Sequence, residues 1–493
     1  MNCGLLIGGN RILKDTFPGV SQFYPSYTYP VANAGMLDLS TAIGCARRAG
    51  RASLSTRLDY LKKAAQAFTY QTIDIEHAVH MTGMPVTQVQ ALFQDIPRWL
   101  EEAPRLLQSR FSILEGTAGV WSEAILPEIS RLYVPPEGFC YAVIPGNDPR
   151  SSALLAANLG LLGIPFILKA SPKDAVARLV LQALVQGGFD PNFGSVVYFE
   201  TGTAQAAQKH RKLVDAASCI WTFGPDQAVD EALRFETRRT VAQIDLSGIS
   251  VDELDARRLG ELLTERGFEV QSERLDHFEG KIVLRHNSGN CAAVACGPLT
   301  SRLRALLYEA LAFPLGCMAT KSVMAVAQAG WVEELADFMA GLVTGNPLNP
   351  QTQVGYIAPQ ILDYLQEVVR RYRWQATIYG GERLSPIQAR PQLIACQADT
   401  PDLFGQEIQA YELNVRICAD VEEAIGTINR YTGPQPRLAV SLLNVPADET
   451  VDALGRVRAH TVLIDQPTTR VIPIFHEGND YTQLLSGSRL LVK

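Results

Sequence analysis

Apolar side chains in the first part of the chain recur at three- and four-residue intervals, the spacing of one buried helix face. Between residues 38 and 110 two sets stand out: Leu54, Leu58, Leu61, Ala65 and Phe68, then Val89, Leu92, Phe93, Ile96 and Leu100. The pattern predicts an opening segment made of helices.

From about residue 130, short apolar runs alternate with longer helical stretches. Strands are predicted at 141–144, 165–169, 195–199 and 218–222, and helices at 151–162, 175–186 and 202–214, with another after Gly224. Strands that alternate with helices at this spacing form parallel βαβ units. The region is therefore a doubly wound candidate for binding a nucleotide.

The alternation restarts after about residue 247, which predicts a second α/β domain. Its strands are expected at 282–284, 291–295, 321–327, 438–443 and 461–464, and its helices at 302–312, 424–431 and 452–458. No low-complexity tract or long Gly/Ser linker interrupts the chain, so we expect the domains to pack closely.

Composition narrows the class of protein. The chain has 493 residues, 47% of them apolar and 19% charged, and a net charge of −7. The length fits two or three packed units, and without a basic block nucleic acid is not an expected partner. No apolar run reads as a membrane span and the first residues lack the pattern of a secretion signal, so we expect a cytoplasmic location.

Cysteine usage points to a reducing environment. Nine cysteines lie at irregular distances, with no C-x-x-C pair and no cluster of zinc-binding spacing. This distribution predicts reduced thiols and no metal site.

Two segments that follow predicted strands are candidates for chemistry. Pro145-Gly-Asn147-Asp-Pro149 places an asparagine amide where it can donate a hydrogen bond to a developing oxyanion; an ordinary turn is the alternative. The strand at 165–169 ends in Lys169, followed by Ser171, at the edge of the sheet that faces a ligand crevice. A solvated lysine is the alternative there.

Two further segments lie before a helix and before a strand. Gly224 precedes a helix whose first amides can meet a pyrophosphate, although glycine also begins helices without any ligand. Cys317 follows a glycine on a link between a helix and a strand, where a thiol can act as a nucleophile; a small buried residue is the alternative. No G-x-G-x-x-G run occurs at a strand–helix junction, which disfavours a standard Rossmann dehydrogenase.

Taken in order, the segments read P-G-N-x-P, a strand ending in Lys-x-Ser, x-F-G, G-N-x-x-x-V, G-C-x-x-x-x-S-V and L-F-G. This series resembles the aldehyde dehydrogenase superfamily over nearly the whole chain. The resemblance implies an α/β fold of two doubly wound domains with a small β-arm for oligomerisation. It also implies roles for single residues: Cys317 as nucleophile, Asn147 with the Cys317 backbone N–H as oxyanion hole, and a cofactor site of Lys169, Ser171, Gly224, Asp402 and Phe404.

The run before Cys317 differs from that of hydrolytic members, which carry E-L-G-G-K and use its glutamate to activate water. Residues 286–294 read H-N-S-G-N-C-A-A-V, and no Asp or Glu occurs from Gly280 to Tyr308. The run is similar to the G-A-G-N-x-x-x-V of CoA-acylating members, in which a thiol exchanges with the thioester. The resemblance therefore implies an acyl-thioester reductase, with His286 placed to protonate or orient a leaving group. A neutral, packed histidine is the alternative.

The implied substrate is an acyl-CoA or an acyl-carrier protein, and the implied cofactor is NADPH or NADH. Family members often carry a glutamate after Lys-Pro-Ser that disfavours a 2′-phosphate. Here Pro172 and Lys173 follow Ser171, which favours tolerance of NADPH.

Three alternatives stay open. Phe278-Glu279-Gly280-Lys281 is similar to a shortened E-L-G-G-K, and with Glu279 as general base the protein is a hydrolytic aldehyde dehydrogenase. A catalytically inactive homologue retains a nucleotide but does not need Cys317. A carrier-protein interaction module binds its partner without turnover.

The resemblance also implies boundaries for the domains. The cofactor domain is expected at 1–125 and 140–273, and the catalytic domain at 274–466. Residues 126–139 and 467–493 are expected to form the arm and tail of a homodimer or homotetramer.

Overall fold

The computed structural model covers most of the chain. It describes residues 4–12, 15–69, 73–110, 112–113, 121–126, 129–134, 136–144, 148–223, 282–286, 290–312, 314, 316–396, 401–405, 409–432, 437–470, 475–476, 479–480 and 487–492.

Helices form where the apolar spacing predicts them, and capping side chains fix several of their first turns. Ser53 accepts a hydrogen bond from the Thr56 backbone N–H, and Asp74 accepts one from that of His77, as residues at the start of a helix commonly do. The helices are Met36–Arg48, Leu54–Ala67, Ile75–Thr82, Val86–Phe93, Asp95–Arg110, Ser151–Leu162, Ala177–Gly187, Ala204–Ala216, Ser301–Leu311, Trp331–Ala340, Pro359–Tyr372, Pro401–Phe404, Val421–Arg430 and Ala447–Arg456. Among the described helices, none has the length and apolar character needed to cross a membrane.

A seven-stranded sheet, called here the first sheet, occupies the N-terminal half. Its spatial order is Ile282–His286, Cys219–Phe223, Cys140–Val143, Phe166–Lys169, Gly194–Val197, Leu5–Ile7 and Asn10–Ile12. The first five strands run parallel, and the last two join antiparallel at the edge. The chain winds outward from Cys140–Val143 in one direction and returns to Cys219–Phe223 on its other side. The strand order therefore reverses between these two strands, where open α/β sheets bind ligands at the carboxyl ends.

A second seven-stranded sheet lies in the C-terminal half. Its order is Ala376–Gly380, Gln392–Cys396, Glu412–Ile417, Thr320–Val326, Cys291–Cys296, Arg437–Leu443 and Ala459–Ile464. All pairs are parallel except that of the first edge strand. Two α/β units, each with a mostly parallel sheet, confirm the predicted fold class.

One strand lies in a different sheet from the predicted one. Ile282–His286 was expected in the catalytic domain that begins at residue 274, but it pairs in register with Cys219–Phe223 of the first sheet. The first sheet therefore extends beyond residue 273. An apolar run predicts a strand but carries no information about its partner, because the pairing joins residues more than 60 positions apart.

A third, antiparallel sheet joins the two ends of the predicted arm. Its order is Gly487–Val492, Ile129–Val134, Trp121–Leu126 and Ser112–Ile113. It begins before residue 126, and Phe139, at the end of the expected 126–139 segment, is instead buried in the core of the first sheet. Two-stranded sheets complete the fold: Thr16–Val20 with Thr28–Ala32, Arg383–Ser385 with Gln388–Ala389, and Phe475–His476 with Asn479–Asp480.

The apolar core of the first sheet, called here the first core, also includes residues from the other half of the chain. Met318, Cys291 and Leu438 belong to this cluster, and Cys317 packs against it. The two α/β units therefore meet along an apolar seam that contains the segment around Cys317.

Packing of two helices predicts the effect of a glycine substitution. A Cβ on Gly187 would lie 2.4 Å from the Tyr60 carbonyl oxygen and 2.9 Å from the Ala64 backbone nitrogen. Because backbone atoms cannot move aside, Gly187→Ala should destabilise the protein by about 1–3 kcal/mol, measured as a lower thermal unfolding midpoint.

Gly426 offers a matched control, since it lies within the helix Val421–Arg430 and an added Cβ meets nothing within 4 Å. Gly426→Ala should leave the midpoint unchanged or raise it, in line with a gain of about 0.5–1 kcal/mol for alanine over glycine in a helix. Equal midpoints for the two variants would contradict the assigned helix contact.

Candidate functional site

Cys317 lies on a tight turn just before a central strand of the second sheet. The Ala319 N–H donates to the Gly316 carbonyl at 3.0 Å, and the strand begins at Thr320. Buried Thr468, which is distant in sequence, holds the end of the turn by two hydrogen bonds. Its hydroxyl lies 2.8 Å from that of Thr320 and donates to the Met318 carbonyl at 2.5 Å. The turn is therefore held by a hydrogen bond across it and by Thr468 on the side that leads into the strand.

Exposure separates Cys317 from the other cysteines. All eight cysteines that the structure describes are thiols outside disulfide bonds, as predicted, and seven of them are buried. Burial raises the pKa of both Cys296 and Cys418 to about 11, which keeps these thiols protonated and unreactive. Cys317 is the partly exposed member of this set and thus the thiol best placed for reaction.

Three of the sequence motifs meet beside this turn at a single carbonyl group. The Phe404 carbonyl oxygen accepts hydrogen bonds from Arg437 Nη2 at 2.7 Å, Asn290 Nδ2 at 3.4 Å and Ser322 Oγ at 3.4 Å. Asn290 belongs to the G-N-x-x-x-V run, Ser322 to the run after Cys317, and Phe404 to L-F-G. The structure thus joins segments that are far apart in sequence.

Cys291, the residue after Asn290, extends this network to the nucleophile candidate. Its thiol donates to the Cys317 carbonyl at 3.5 Å. The side chain of Phe404 is fully buried and stacks on Tyr431, with ring centroids 5.6 Å apart and planes at 20°. In this structure Phe404 therefore has a packing role, and its backbone carbonyl is the group that reaches the site.

Lys169 lies at the carboxyl end of its strand, between Val143 and Val197 of the neighbouring strands. Its side chain is only 7% exposed, so it is not the solvated surface lysine of the alternative interpretation. Its ammonium group lies 5.6 Å from the ring centroid of Phe199, and Lys209 lies at the same distance from that ring. Two buried cations therefore flank one aromatic ring at the carboxyl edge of the first sheet.

Ser171 shapes the loop that follows Lys169. Its hydroxyl accepts a hydrogen bond from the Lys173 backbone N–H at 3.2 Å. The Pro172 carbonyl lies 3.3 Å from His77 Nε2 and accepts a bond from the Tyr29 hydroxyl at 3.4 Å. Burial lowers the pKa of His77 to about 4, so the ring that contacts the Pro172 carbonyl is neutral at neutral pH.

Asp174, which the sequence did not single out, ties this loop to a helix start. Its carboxylate accepts bonds from the Ser152 N–H and hydroxyl and from the N–H groups of Val176 and Ala177. Burial raises the pKa of Asp174 to about 6, against the opposing effect of these hydrogen bonds. One carboxyl group thus caps Ala177–Gly187 and holds the start of Ser151–Leu162.

Arg150 is a second residue that sequence reasoning missed. It is 1% exposed, pairs with Asp95 and Asp148, and lies 4.8 Å from the ring centroid of Trp99. Asp148 belongs to the predicted P-G-N-D-P turn. Arg150 therefore anchors the carboxyl-terminal end of that turn to the helix Asp95–Arg110.

Several predicted site residues stay predictions. Asn147, Gly224 and the competing Glu279 lie outside the described residues, as do the side chains of His286 and Asp402. The strand before the turn ends at Val143, and the strand before Gly224 ends at Phe223. These are the two strands between which the order of the first sheet reverses.

These features define the aldehyde dehydrogenase type of α/β fold, with two doubly wound units and a small antiparallel arm. The chain is similar to an NAD-dependent benzaldehyde dehydrogenase from Corynebacterium glutamicum, with a TM-score of 0.70, 15% identity and coverage of 99% of this chain and 97% of that one. It is also similar to PnpE from Pseudomonas sp. WBC-3, with a TM-score of 0.72, 15% identity and coverage of 100% and 98%.

A mutant of the P. syringae AldA indole-3-acetaldehyde dehydrogenase, in complex with NAD+ and IAA, gives a TM-score of 0.72 at 14% identity, with coverage of 100% of this chain and 97% of that one. No family model and no curated protein matches the sequence. At these identities the likeness establishes the fold.

The buried position of Asp174 predicts a cost for its removal. Asp174→Ala leaves the two donors of Ser152 and the N–H groups of Val176 and Ala177 without their acceptor, at about 1–3 kcal/mol for each donor that stays dry. We expect a lower thermal midpoint and faster hydrogen exchange at the amides of 174–178.

Asp190→Ala is the control, since that carboxylate also accepts backbone N–H bonds, from Gly50 and Asn192, but is partly exposed to solvent. Water replaces those bonds, so a smaller loss is expected. Equal losses in the two variants would show that Asp174 does not connect two buried segments.

Proposed function

We propose that this chain is an NAD(P)-dependent oxidoreductase of the aldehyde dehydrogenase superfamily. It reduces the acyl group of an acyl-CoA or acyl-carrier protein to an aldehyde through a thioester at Cys317. The observation that carries the proposal is the position of Cys317: a partly exposed thiol on a fixed turn, at the seam between the two α/β units. Thiols of this kind act as nucleophiles, whereas buried thiols are inert.

The carboxyl edge of the first sheet fits a nicotinamide dinucleotide. Lys169 holds a buried ammonium group there, next to the point where the strand order reverses, and a ribose hydroxyl or phosphate can take its hydrogen bonds. Ser171, Gly224 and Asp402 complete the proposed cofactor site. When bound, the reduced nicotinamide supplies a hydride.

The protein's own residues perform the covalent steps. The Cys317 thiolate attacks the acyl carbon, the new carbon–sulfur bond replaces the bond to the donor thiol, and the donor leaves as a thiol after gaining a proton. After the acyl carbon has gained a hydride, collapse of the hemithioacetal releases the aldehyde and returns the thiolate. Asn147 and the Cys317 N–H are proposed to stabilise the oxyanion in both stages, and His286 to deliver or orient the proton.

The choice of a thiol over water as the group that exchanges with the thioester is inferred from missing carboxylates in the sequence. No Asp or Glu lies between Gly280 and Tyr308, and the residue before Cys291 is the amide Asn290. An amide cannot remove a proton from water. This favours exchange of the thioester with a thiol over its hydrolysis.

A second candidate function is supported by the comparisons. The solved structures of this fold named above include a benzaldehyde dehydrogenase and an indole-3-acetaldehyde dehydrogenase. If Glu279 acts as a general base, the chain oxidises an aldehyde to a carboxylic acid with NAD(P)+. The antiparallel arm built on Ile129–Val134 and Gly487–Val492 is proposed as the oligomerisation surface for either function.

Cys317→Ala tests the nucleophile. Turnover should fall ~10⁴-fold or more, because the covalent step has no other thiol to use. Nicotinamide binding, measured by fluorescence titration, should be retained. Cys45→Ala, which removes a buried thiol from the helix Met36–Arg48, should keep its turnover. Undiminished activity in Cys317→Ala would overturn the proposed mechanism.

The choice between the two functions is tested by following nicotinamide absorbance in both directions. Oxidation of NADPH or NADH with acyl-CoA thioesters, and aldehyde oxidation that requires free CoA, are expected for the reductase. Acid formation from aldehyde without CoA would replace this function with the hydrolytic one. The variant Glu279→Gln would then abolish acid formation.

A further inference from the structure

Arg437 is a buried cation in an unusual setting. It begins the strand Arg437–Leu443 and is 1% exposed. Its two terminal nitrogens donate to the Asn290 side-chain oxygen and to the Phe404 carbonyl, both neutral acceptors. Within the part of the chain that the structure describes, its Nε finds no acceptor.

Such burial costs free energy. A guanidinium ion taken from water normally needs an opposite charge, and replacing a buried ion by an apolar side chain of similar size is often neutral or stabilising. Burial lowers the pKa of Arg437 to about 10, so the side chain still carries its charge at neutral pH. The site therefore holds a fixed positive charge that stability alone does not explain.

Hydrogen bonds connect this charge to the nucleophile candidate. Arg437 binds Asn290, the next residue is Cys291, and the Cys291 thiol donates to the Cys317 carbonyl. Leu438, which follows Arg437, donates its N–H to the Asn290 carbonyl at 3.1 Å. The guanidinium group is thus hydrogen-bonded to the residue that precedes Cys291, and the Cys291 thiol contacts the Cys317 turn.

Other buried charges lie at this end of the second sheet and partly oppose one another. Lys321 donates to the Ala410 carbonyl at 2.6 Å, and burial raises the pKa of Glu412 to about 7. Lys321 lowers the pKa of Glu412 and Cys291 raises that of Arg437, in each case against the larger effect of burial. Among the described residues, Arg437 therefore interacts electrostatically with the Cys291 thiol and donates hydrogen bonds to neutral acceptors on Asn290 and Phe404.

We propose that Arg437 is a positioning residue for Cys317: it locks the Asn290 and Phe404 segments beside the cysteine turn and supplies a positive potential that favours the thiolate. The inference rests on the proposed function, because it assigns the charge a task in forming the nucleophile. A nearby cation stabilises a thiolate over a thiol, and low dielectric surroundings strengthen that effect.

The experiment measures the reactivity of Cys317 without substrate or cofactor. The full-length protein is treated with iodoacetamide between pH 5.5 and 10, and alkylation of the Cys317 peptide is followed by mass spectrometry. In Arg437→Met the pH at half-maximal rate should rise by about one unit, which makes alkylation near neutral pH about tenfold slower. Arg437→Lys, which keeps a charge but loses the planar fork, should lie between the two.

Arg456→Met is the matched control, since it removes an exposed arginine paired with Glu422 and Asp452 on the helix Ala447–Arg456. Its profile should equal that of the wild type. A purely structural role for Arg437 would lower the thermal midpoint of Arg437→Met but leave the pH at half-maximal rate unchanged, and that result overturns the proposal.

A second variant covers the case in which Arg437→Met does not fold. Arg437→Gln removes the charge but keeps a side-chain amide that can donate a hydrogen bond, so the pH at half-maximal rate should also rise; an unchanged value overturns the proposal. The experiments distinguish a failure of the proposed function from a failure of the Arg437 inference. Loss of the proposed function shows as full turnover in Cys317→Ala, whereas failure of the Arg437 inference shows in the alkylation profile alone.

Discussion

The seam between the two α/β units is the constraint on which the rest of the arrangement depends. Cys291 of the second sheet and Met318 of the cysteine turn both lie in the first core, and Cys317 packs against this core. A turn packed in this way has little freedom to move, because closely packed interiors resist small displacements. The Cys317 thiol is therefore set at a fixed position relative to the carboxyl edge of the first sheet, where a dinucleotide is proposed to bind. Reactions between two held groups gain from such fixed geometry.

Buried polar side chains hold the segments that the apolar seam cannot orient. Asp174 joins two helix starts beneath the Lys169 loop, Arg150 fixes the end of the P-G-N-D-P turn, and Arg437 gathers three motifs at one carbonyl group. Each of these groups lost its water on folding, and each regains hydrogen bonds only if all its partners are in place. Because these side chains are stable in the interior only with all their partners in place, they fix the positions of the segments that they join, near Lys169 and near Cys317.

The local pattern of the sequence predicted the elements well and their long-range contacts poorly. The helix Ser151–Leu162 matches its expected bounds, because an uninterrupted apolar run between turn residues leaves few alternatives. The strands Glu412–Ile417 and Gln392–Cys396 went unpredicted although they lie inside the second sheet. The first alternates polar and apolar residues and the second is a short apolar run after Gln392, and so short a run cannot be told from a buried piece of helix by its pattern alone. Asp174 and Arg437 were missed for a related reason. From sequence alone, a charged residue at the start of a helix or strand is expected to be exposed to solvent, and only the fold shows that it is buried.

For the candidate site, too, the sequence indicated single residues, whereas their surroundings became visible only in the structure. The order of weak motifs identified Cys317 and Lys169, and the structure shows one thiol partly exposed and one ammonium group buried. Chemistry at a cysteine can end in transfer to water or to a thiol, and the two outcomes share the nucleophile, the oxyanion hole and the hydride step. What separates them is a single proton acceptor near the acyl carbon. In this chain the residue before Cys291 is the amide Asn290, which accepts a hydrogen bond from Arg437 and cannot serve as that proton acceptor. Under the proposed function, a positive charge beside the cysteine turn would favour a thiolate in both roles, as the attacking group at Cys317 and as the leaving group of the substrate.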